Sequence, residues 1–444
     1  MSEGGLRYAN PEELARARSN QGTSTEQSAA PSPEFPKLRP EAFYGPIGDI
    51  VRTIEPHTES DPALLLISNH VYFGNAIGRG PHFRIEGSTH YTVLDALFVG
   101  DTAKGRKGTG DDRVREVFRL ADPVWCLNRV KDGMLSSGEG LIEEVRDARI
   151  KITKGEEVVV DEGEPDKRVL FIQSEFGGVL HAVRRDGSTL GPIIKNSWDG
   201  RDPLGTVTKH TKSRATGAHV SIIGHITSPE LRKLLDQISI AGGLGNRFLF
   251  ACVRRTRQLP FGGNLSDEDV AKLAALIQDR LIVARGIGEV GWNNEGADAW
   301  ADIYSDLSEG KPGLVGALIA RAEAQVRRLA MSYALWDGAA RVNLDHLLAA
   351  LALWEFCDAS VRYIFGDSLG DPVSDALLSA LKNAFPDALS RTELYQLFSR
   401  NESSGRIAQS LMELARLGLA TMHRIVANGV GRPAEMWRYC PAAE

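Results

Sequence analysis

The chain has 444 residues, and a typical length of about 150 residues per domain predicts two or three domains. Hydrophobic residues make up 42% of the sequence and charged residues 25%, a balance that excludes a wholly disordered chain. Lys and Arg total 52 against 58 Asp and Glu, which gives a formal net charge of −6. This charge excludes a uniformly basic protein that coats nucleic acid, but it leaves room for a local basic groove or channel.

The four cysteines are far apart and form no C-x-x-C pair, which argues against a zinc ribbon or a disulfide framework. The longest strongly apolar stretch, Leu347–Phe356, is too short to span a bilayer. The amino terminus has no charged segment followed by an apolar one, as a signal peptide would. The sequence therefore predicts a cytoplasmic protein with no membrane partner.

Residues 1–40 are rich in Ser, Gly, Thr, Gln and Pro and are predicted to be a disordered tail. Two apolar-faced helices follow, in FYGPIGDIVRTIE and PALLLISNHVYFGNAIG, and then β-rich segments in HFRIEG and HYTVLDALFVG. Because strands and helices alternate up to residue 258, residues 41–258 are predicted to be an α/β core with a parallel sheet. Its further strands are predicted at Glu157–Asp161, Arg168–Gln173, His219–Ile226 and Phe248–Val253.

Helical patterns dominate after this core, so residues 259–366 are predicted to form an all-α lid or bundle. Gly366–Pro372 is a predicted linker. Residues 371–444 contain three helical patterns and a possible β-hairpin, which are the elements of a winged helix. The three helices are predicted at Ser374–Ala384, Ser390–Arg400 and Glu402–Leu417, and the strands of the hairpin at Ala420–Val426 and Glu435–Tyr439.

A glycine-rich loop, GDTAKGRKGT, begins at Gly100 between an apolar strand and a predicted helix. Such a loop directs backbone N–H groups at a phosphate, and a nearby Lys neutralises its charge. The distance from Gly100 to Lys107 is one residue longer than in G-x-x-x-x-G-K-[ST], and a solvated basic turn is the alternative explanation. Thr109 is the candidate ligand of Mg²⁺. The candidate ATP-binding residues are Gly100, Asp101, Gly105, Lys107, Gly108 and Thr109.

A nucleotide-hydrolysing site also needs an acid near the metal and the attacking water. The apolar strand that begins at Arg168 ends in Glu175, which is a candidate for polarising that water. Ser174 stands at the position where the metal-side Asp is usually found. A solvated strand end is the alternative explanation for Glu175.

With these residues in order, residues 95–330 resemble the AAA+ module of MCM-type replicative helicases and of related helicase-initiators of phages, plasmids and chromosomal islands. Gly100-Asp101 is similar to the G-D that opens the family's phosphate loop, and residues 136–147, SSGEGLIEEVRD, are similar to its S-S-x-G-L-x-x-x-V-R-D segment. Three further matches are SEF at 174–176 to D-E-F, NRF at 246–248 to S-R-F, and Arg321 with Arg328-Leu-Ala to R-x-x-x-x-x-x-R-L-A.

The resemblance implies a P-loop AAA+ ATPase core with a helical lid, followed by a winged helix. It assigns Arg247 as an arginine finger that reaches the neighbouring subunit's site, and Arg321 as the sensor-2 residue. His225 and Thr227, at the end of a strand, are candidate sensors of the γ-phosphate. By the same resemblance, residues 148–167 correspond to the family's helix-2 insertion hairpin, and residues 205–215 correspond to its pre-sensor-1 hairpin, which is expected to reach DNA in the central channel. The candidate DNA-binding residues are Lys209, Lys212, Arg214, Arg406 and Arg432.

The leading hypothesis is an ATP- and Mg²⁺-dependent DNA helicase or helicase-initiator that acts in replication of a mobile element. It predicts a ring, expected to be a hexamer, on single- or double-stranded DNA, with a primase or replication initiator as a further partner. The alternative is a DNA-binding initiator or regulator that binds ATP without hydrolysis, because Ser174 replaces the acidic Asp. A nucleotide kinase, suggested by Lys107-Gly108-Thr109 alone, ranks last because it does not explain Arg247.

Overall fold

The last residues of the amino-terminal tail predicted from composition are ordered, which corrects that prediction. Phe35 and Leu38 pack against the hydrophobic core, and the Phe35 ring lies 5.4 Å from the Tyr363 ring, so the residues just before 40 are part of the fold. The remainder of the predicted tail, residues 1–33, lies outside the described residues. The computed structural model describes residues 34–100, 107–153, 156–207, 212–235, 242–311, 313–366, 369, 371–398, 402–425 and 434–441.

The described helices are numbered here in chain order. They are α1 Gly45–Ile54, α2 Pro62–Ile77, α3 Lys107–Ala121, α4 Pro123–Arg129, α5 Gly138–Glu143, α6 Phe176–Arg184, α7 Leu190–Trp198, α8 Ser228–Leu234, α9 Asp267–Arg285, α10 Asn294–Ser308, α11 Gly313–Ile319, α12 Ala322–Trp336, α13 Leu344–Phe365, α14 Pro372–Ala384, α15 Arg391–Gln396 and α16 Ser404–Arg416.

The described strands are numbered in the same way. They are β1 His82–Ile85, β2 Ser88–Tyr91, β3 Asp95–Val99, β4 Val130–Lys131, β5 Arg149–Thr153, β6 Glu156–Asp161, β7 Arg168–Gln173, β8 Leu204–Val207, β9 Lys212–Ala215, β10 His219–Ile226, β11 Phe248–Cys252, β12 Gly291–Trp292, β13 Arg341–Val342, β14 Leu389–Ser390, β15 Ala420–Ile425 and β16 Ala434–Tyr439.

The predicted α/β core is confirmed as a five-stranded parallel sheet in the order β11-β3-β10-β7-β4. Every residue of β3, β10 and β11 is buried, which is the pattern of strands covered by helices on both faces. The segment HYTVLDALFVG, predicted as one β-rich stretch, divides into β2, which pairs with β1, and β3, which enters the sheet.

The order of the strands creates a topological switch point between β3 and β10. From β3 the chain crosses to β4 at one edge of the sheet, then returns through β7 and β10 before it passes β3 to reach β11 at the other edge. The connections that leave the neighbouring strands β3 and β10 therefore run in opposite directions along the sheet. Ligands of open parallel sheets bind at the carboxyl ends of the strands at such a point.

The predicted strand Glu157–Asp161 corresponds to β6 but does not join this sheet. It pairs antiparallel with β5, and the side chains of Ile150, Ile152 and Val158 on this hairpin are exposed. The predicted hairpin at 205–215 is also present, as the antiparallel pair β8–β9. The structure does not describe residues 208–211 at its tip.

The predicted helical region after residue 258 is confirmed in its main elements, but it is not all-α. The strands β12 and β13 pair in parallel within it, over two residues each. α2, predicted to have one apolar face, is instead buried on all sides from Ala63 to Ile77. Among the described residues, no helix is long and apolar enough to cross a membrane.

The carboxy-terminal elements have a hydrophobic core of their own. Leu377, Leu394 and Leu411, one from each of α14, α15 and α16, are buried together with Trp437 of β16. The strands form an antiparallel sheet in the order β14-β16-β15, which adds β14 to the predicted hairpin. Three helices and a β-sheet are thus present in the predicted order.

The Asp95→Asn variant is expected to gain stability relative to the wild type as pH rises. Asp95 begins β3, accepts a hydrogen bond from the Ile222 N–H at 2.9 Å, and has a pKa raised to about 8 by burial, which Arg328 and Arg247 oppose. As pH rises from about 4 to about 8, the Asp95 carboxyl group is ionised in the unfolded chain but still protonated in the folded one. The free energy of unfolding of the wild type therefore falls over this pH range. Urea denaturation of both proteins at pH 5 and pH 8 measures this difference, and equal differences at both pH values would contradict it.

Candidate nucleotide site

A cavity of about 890 Å³ lies at the carboxyl ends of the strands, beside the switch point. It is formed by the first turns of α3, by the residues that follow β7, and by the end of β10 with the first residues of α8. Its position thus agrees with the expected place for a ligand of a parallel sheet. The lining residues are Gly108, Thr109, Asp111, Asp112, Arg115, Asp132, Ile172, Ser174, Glu175, Gly178, His225, Ile226, Thr227 and Glu230.

Gly100 marks the point where the candidate phosphate loop leaves β3. Its N–H donates to the carbonyl of Ile226 at 3.3 Å, and a Cβ at this position would lie 2.6 Å from the carbonyl oxygen of Val253. Only glycine fits between these two strand ends, so the residue is required for packing. Asp101 and Gly105 of the predicted loop lie outside the described residues.

The helix α3 begins at Lys107 and directs its amino-terminal end toward the cavity, where Gly108 and Thr109 are exposed. The unpaired N–H groups and the dipole of such a terminus favour an anion. The structure therefore brings the predicted residues Gly108 and Thr109 to the same cavity as Glu175, His225 and Thr227.

Glu175 immediately precedes α6 and is exposed in the cavity wall. Its side chain makes no hydrogen bond to the first turn of α6, although it occupies the N-cap position. Ser174 beside it is also exposed. The Glu175 carboxylate therefore has no capping role and is in a position to interact with a ligand.

The two predicted sensors lie at the end of β10 but differ in environment. His225 is buried, with its ring centroid 5.6 Å from that of Phe98. Thr227 is the N-cap of α8, where its hydroxyl accepts a hydrogen bond from the Glu230 N–H at 3.4 Å. The Thr227 hydroxyl retains its own proton for donation to a ligand.

Sequence reasoning missed Asp111, which lies two residues after Thr109. Asp111 is buried in the cavity wall, where the Tyr72 hydroxyl donates to its Oδ2 atom at 3.1 Å. Burial raises the pKa of Asp111 to about 7, an effect that the Tyr72 hydrogen bond and Arg115 oppose. No sequence signal distinguishes Asp111 from Asp112, its exposed neighbour.

The described lining of the cavity is acidic. Among the described lining residues, Arg115 is the one Lys or Arg. Its Nη1 donates to both carboxylate oxygens of Asp132, at 2.8 and 2.9 Å. Five lining carboxylates oppose it: Asp111, Asp112, Asp132, Glu175 and Glu230. Within the described ranges, no group of three or more His, Cys, Asp or Glu is arranged to hold a metal by protein ligands alone.

A second cavity of about 510 Å³ lies at the carboxyl ends of β3 and β11. Its wall includes Val99, Gly100 and Val253 from the strand ends and the aromatic rings of Phe35 and Tyr363. Since Gly100 lines this cavity and Gly108 lines the larger one, the candidate phosphate loop starts at one cavity and ends at the other.

Arg247 and Arg321, the two arginines predicted to serve a neighbouring subunit, lie together around Trp198 and Asp199. Arg247 Nη2 is 2.8 Å from Asp199 Oδ2, and Arg321 Nη1 is 3.5 Å from Asp199 Oδ1. The guanidinium carbons of both arginines lie within 6 Å of the Trp198 ring centroid, at 5.8 and 5.3 Å. The side chain of Arg247 is only 7% exposed, against 36% for Arg321.

This arginine cluster lies at the amino-terminal ends of the strands, whereas the cavity lies at their carboxyl ends. Arg247 precedes β11, whereas Glu175 follows β7, and parallel strands of five residues are about 17 Å long. Arg247 and Arg321 are therefore not part of the cavity of their own chain. Burial lowers the pKa of His90 to about 4, and the charges of Arg328, Arg327 and Arg321 act in the same direction while Asp199 opposes them.

Arg328→Met is expected to lower the free energy of unfolding by about 2–4 kcal/mol. Arg328 is fully buried, donates to the carbonyls of Val93 and Trp198 at 2.8 and 2.7 Å, and has a pKa lowered to about 9 by burial. Its loss leaves both carbonyls without these donors. Arg321→Met, at a partly exposed position, is the control and is expected to cost less than about 1 kcal/mol. Urea denaturation of both variants makes the comparison, and equal losses would contradict a structural role specific to Arg328.

The candidate DNA-binding residues are dispersed. Arg214 of β9 is 65% exposed and lies 3.6 Å from Asp147, and Lys212 is in the same strand. Arg406 of α16 is bound to Asp371, the N-cap residue of α14, at 2.5 Å. Lys209 and Arg432 lie outside the described residues. A DNA contact by Arg406 requires the phosphate to compete with Asp371.

The fold and cavity define an α/β protein with a candidate ligand site at the carboxyl ends of the strands of a parallel sheet. The sequence matches no protein-family model and has no significant match among curated proteins.

Proposed function

We propose that the chain is an AAA+ ATPase that binds ATP in the cavity at the carboxyl edge of its parallel sheet. The observation that carries this proposal is the convergence of α3, Glu175 and the end of β10 on one cavity at the switch point. These are the elements that the resemblance assigns to the phosphate loop, the acidic motif and the sensor. Each comes from a separate part of the sequence.

In this proposal the phosphates lie at the amino terminus of α3, and the second cavity, where Arg254 and Arg255 lie beside the Phe35 and Tyr363 rings, accepts the base. Glu175 takes the proton of the attacking water while that water forms a bond to the γ-phosphorus and ADP leaves. Thr109 would help to hold Mg²⁺, which would supply neutralisation of the charge on the phosphate oxygens. The acidic lining fits a metal complex of ATP better than the bare anion.

The opposite placement of the arginine cluster supports assembly into a ring. Arg247 and Arg321 are a strand length from their own cavity, so they can act on ATP only in the site of another subunit. In a head-to-tail ring, each subunit can present the side that carries these arginines to the side of its neighbour that carries the cavity. Hydrolysis then depends on assembly, and we extend the proposal to a DNA helicase or helicase-initiator with a carboxy-terminal winged helix.

ATP hydrolysis by the full chain, with and without single-stranded DNA, tests this function. We expect hydrolysis that DNA stimulates in a sample whose mass shows a ring. If ATP binds but no phosphate is released, either with or without DNA, the proposed ATP-hydrolysing helicase is rejected.

That outcome would instead favour the second candidate, a DNA-binding initiator or regulator that uses ATP only for assembly. The observation in its favour is Ser174, which provides no carboxylate at the position of the usual metal-side Asp. DNA footprinting on one specific origin would then be its positive test.

A further inference from the structure

Asp111 has a buried carboxylate oxygen that its surroundings leave unsatisfied. Asp111 is 3% exposed and lines the larger cavity, and Tyr72 donates to its Oδ2 atom. Its Oδ1 atom is buried and has no hydrogen-bond partner within the part of the chain that the structure describes. A buried carboxylate oxygen without a donor is costly, so this atom requires a cation or a donor from the cavity side.

The charges around Asp111 favour a divalent cation as that partner. The guanidinium of Arg115 is already bound by Asp132, and the other described charged side chains in the wall are carboxylates. A bare phosphate would be repelled by this wall, whereas Mg²⁺ is held by one or two carboxylates together with phosphate oxygens. One buried carboxylate with an open oxygen is thus sufficient on the protein's side.

Tyr72 fixes the direction of this oxygen. The Tyr72 side chain is fully buried on α2, with its ring centroid 5.3 Å from that of Phe118 and 6.1 Å from that of Trp125. Its hydroxyl therefore cannot follow Asp111 if the carboxylate rotates. The hydrogen bond to Oδ2 holds the carboxyl group so that Oδ1 is the oxygen left for a ligand.

We infer that Asp111 supplies the metal-side carboxylate that position 174 lacks, and that the cavity binds a nucleoside triphosphate as its Mg²⁺ complex. This inference rests on the proposed nucleotide function and assigns a specific role to a residue that no motif identified. Ser174 and Asp111 line the same cavity from two different parts of the fold, the turn after β7 and the helix α3. A carboxylate lost from the strand end is thereby replaced by one from the helix.

The test measures binding of a fluorescent ATP analogue to the full chain, with Mg²⁺ and with EDTA. The wild type and Asp112→Asn are expected to bind at least about 10-fold more tightly with Mg²⁺. Asp111→Asn is expected to lose this difference, while its affinity in EDTA matches that of Asp112→Asn, which removes an equal charge from the same wall. Asn retains an oxygen for the Tyr72 hydroxyl, and the EDTA affinity itself reports that the variant is folded. Asp112 is the matched control, because it is adjacent, acidic and exposed.

A rescue variant makes the assignment specific. Adding Ser174→Asp to Asp111→Asn is expected to restore tighter binding with Mg²⁺, since a carboxylate returns to the same cavity. A Mg²⁺ effect in Asp111→Asn equal to that in Asp112→Asn would overturn the inference and leave the proposed ATPase intact. A wild type that binds the analogue under neither condition would reject the proposed function, and the inference with it.

Discussion

Glu175→Gln is expected to slow ATP hydrolysis by about 10²–10⁴-fold while ATP still binds, because the variant loses the group that we propose takes the proton of the attacking water. The Glu175 carboxylate is exposed in the cavity and is not used to cap α6, so its removal disturbs no described hydrogen bond of the fold. Phosphate release measured with saturating ATP and DNA reports the rate, and binding of a fluorescent ATP analogue reports the affinity.

Glu230→Gln is the matched control for this prediction. Glu230 lines the same cavity from α8, so its substitution removes an equal charge from the wall. It lies against the first turn of α6, where a Cβ on Gly177 would be 2.0 Å from Glu230 Oε1, and it therefore differs from Glu175 in the element that carries it. A similar loss of rate in both variants would show that the charge of the cavity matters rather than a base at position 175.

The elements of the sheet were predictable because their signal is local. Continuous apolar runs bounded by loops predicted β7, β10 and β11, and these three lie in the parallel sheet. The run Val158-Val159-Val160 gives the same signal but belongs to the exposed hairpin β5–β6. A short apolar run cannot by itself distinguish a buried strand from an exposed one, because burial depends on which partner the strand finds.

The positions of Glu175 and Thr109 were predictable for a related reason. Residues that directly follow parallel strands gather at one edge, so a glycine-rich loop after β3 and an acid after β7 were expected at the same place. The role of Asp111 was not predictable, because it depends on Tyr72, which is 39 residues away in the sequence. Nothing local indicates that α2 buries Asp111 and leaves Asp112 exposed.

The sequence also singled out Arg247 and Arg321 as candidate arginine finger and sensor-2 residue, but it did not indicate which side chain forms ion pairs with them. Asp199, which binds both arginines, belongs to no motif and follows α7. In the isolated chain Asp199 neutralises part of the charge that a phosphate would otherwise attract. A subunit that uses Arg247 on its neighbour's ATP must therefore exchange this ion pair for the phosphate, which links assembly to a local rearrangement.

Arg247→Ala is expected to lower ATP hydrolysis in assembled rings by about 10³–10⁵-fold, the range known for arginine fingers. ATP should still bind, since Arg247 lies at the amino-terminal ends of the strands, far from the cavity of its own chain at their carboxyl ends. Lys107→Ala subunits lack the Lys that we propose binds the phosphates but retain Arg247. Mixing the two inactive variants in equal amounts should restore activity at the interfaces that combine an intact Lys107 with an intact Arg247, about one quarter of all interfaces.

Asp199→Asn separates this role from a structural one, because Arg247 is buried in an ion pair and its loss also perturbs folding. If the ion pair only stabilises the chain, Asp199→Asn and Arg247→Ala should lose stability and hydrolysis together. If Arg247 acts on the neighbour's phosphates, Asp199→Asn releases the guanidinium, so hydrolysis should persist or rise even where the thermal midpoint falls. Mixed rings of Arg247→Ala and Lys107→Ala that recover no activity would reject the shared site, because every such ring contains interfaces with both side chains intact.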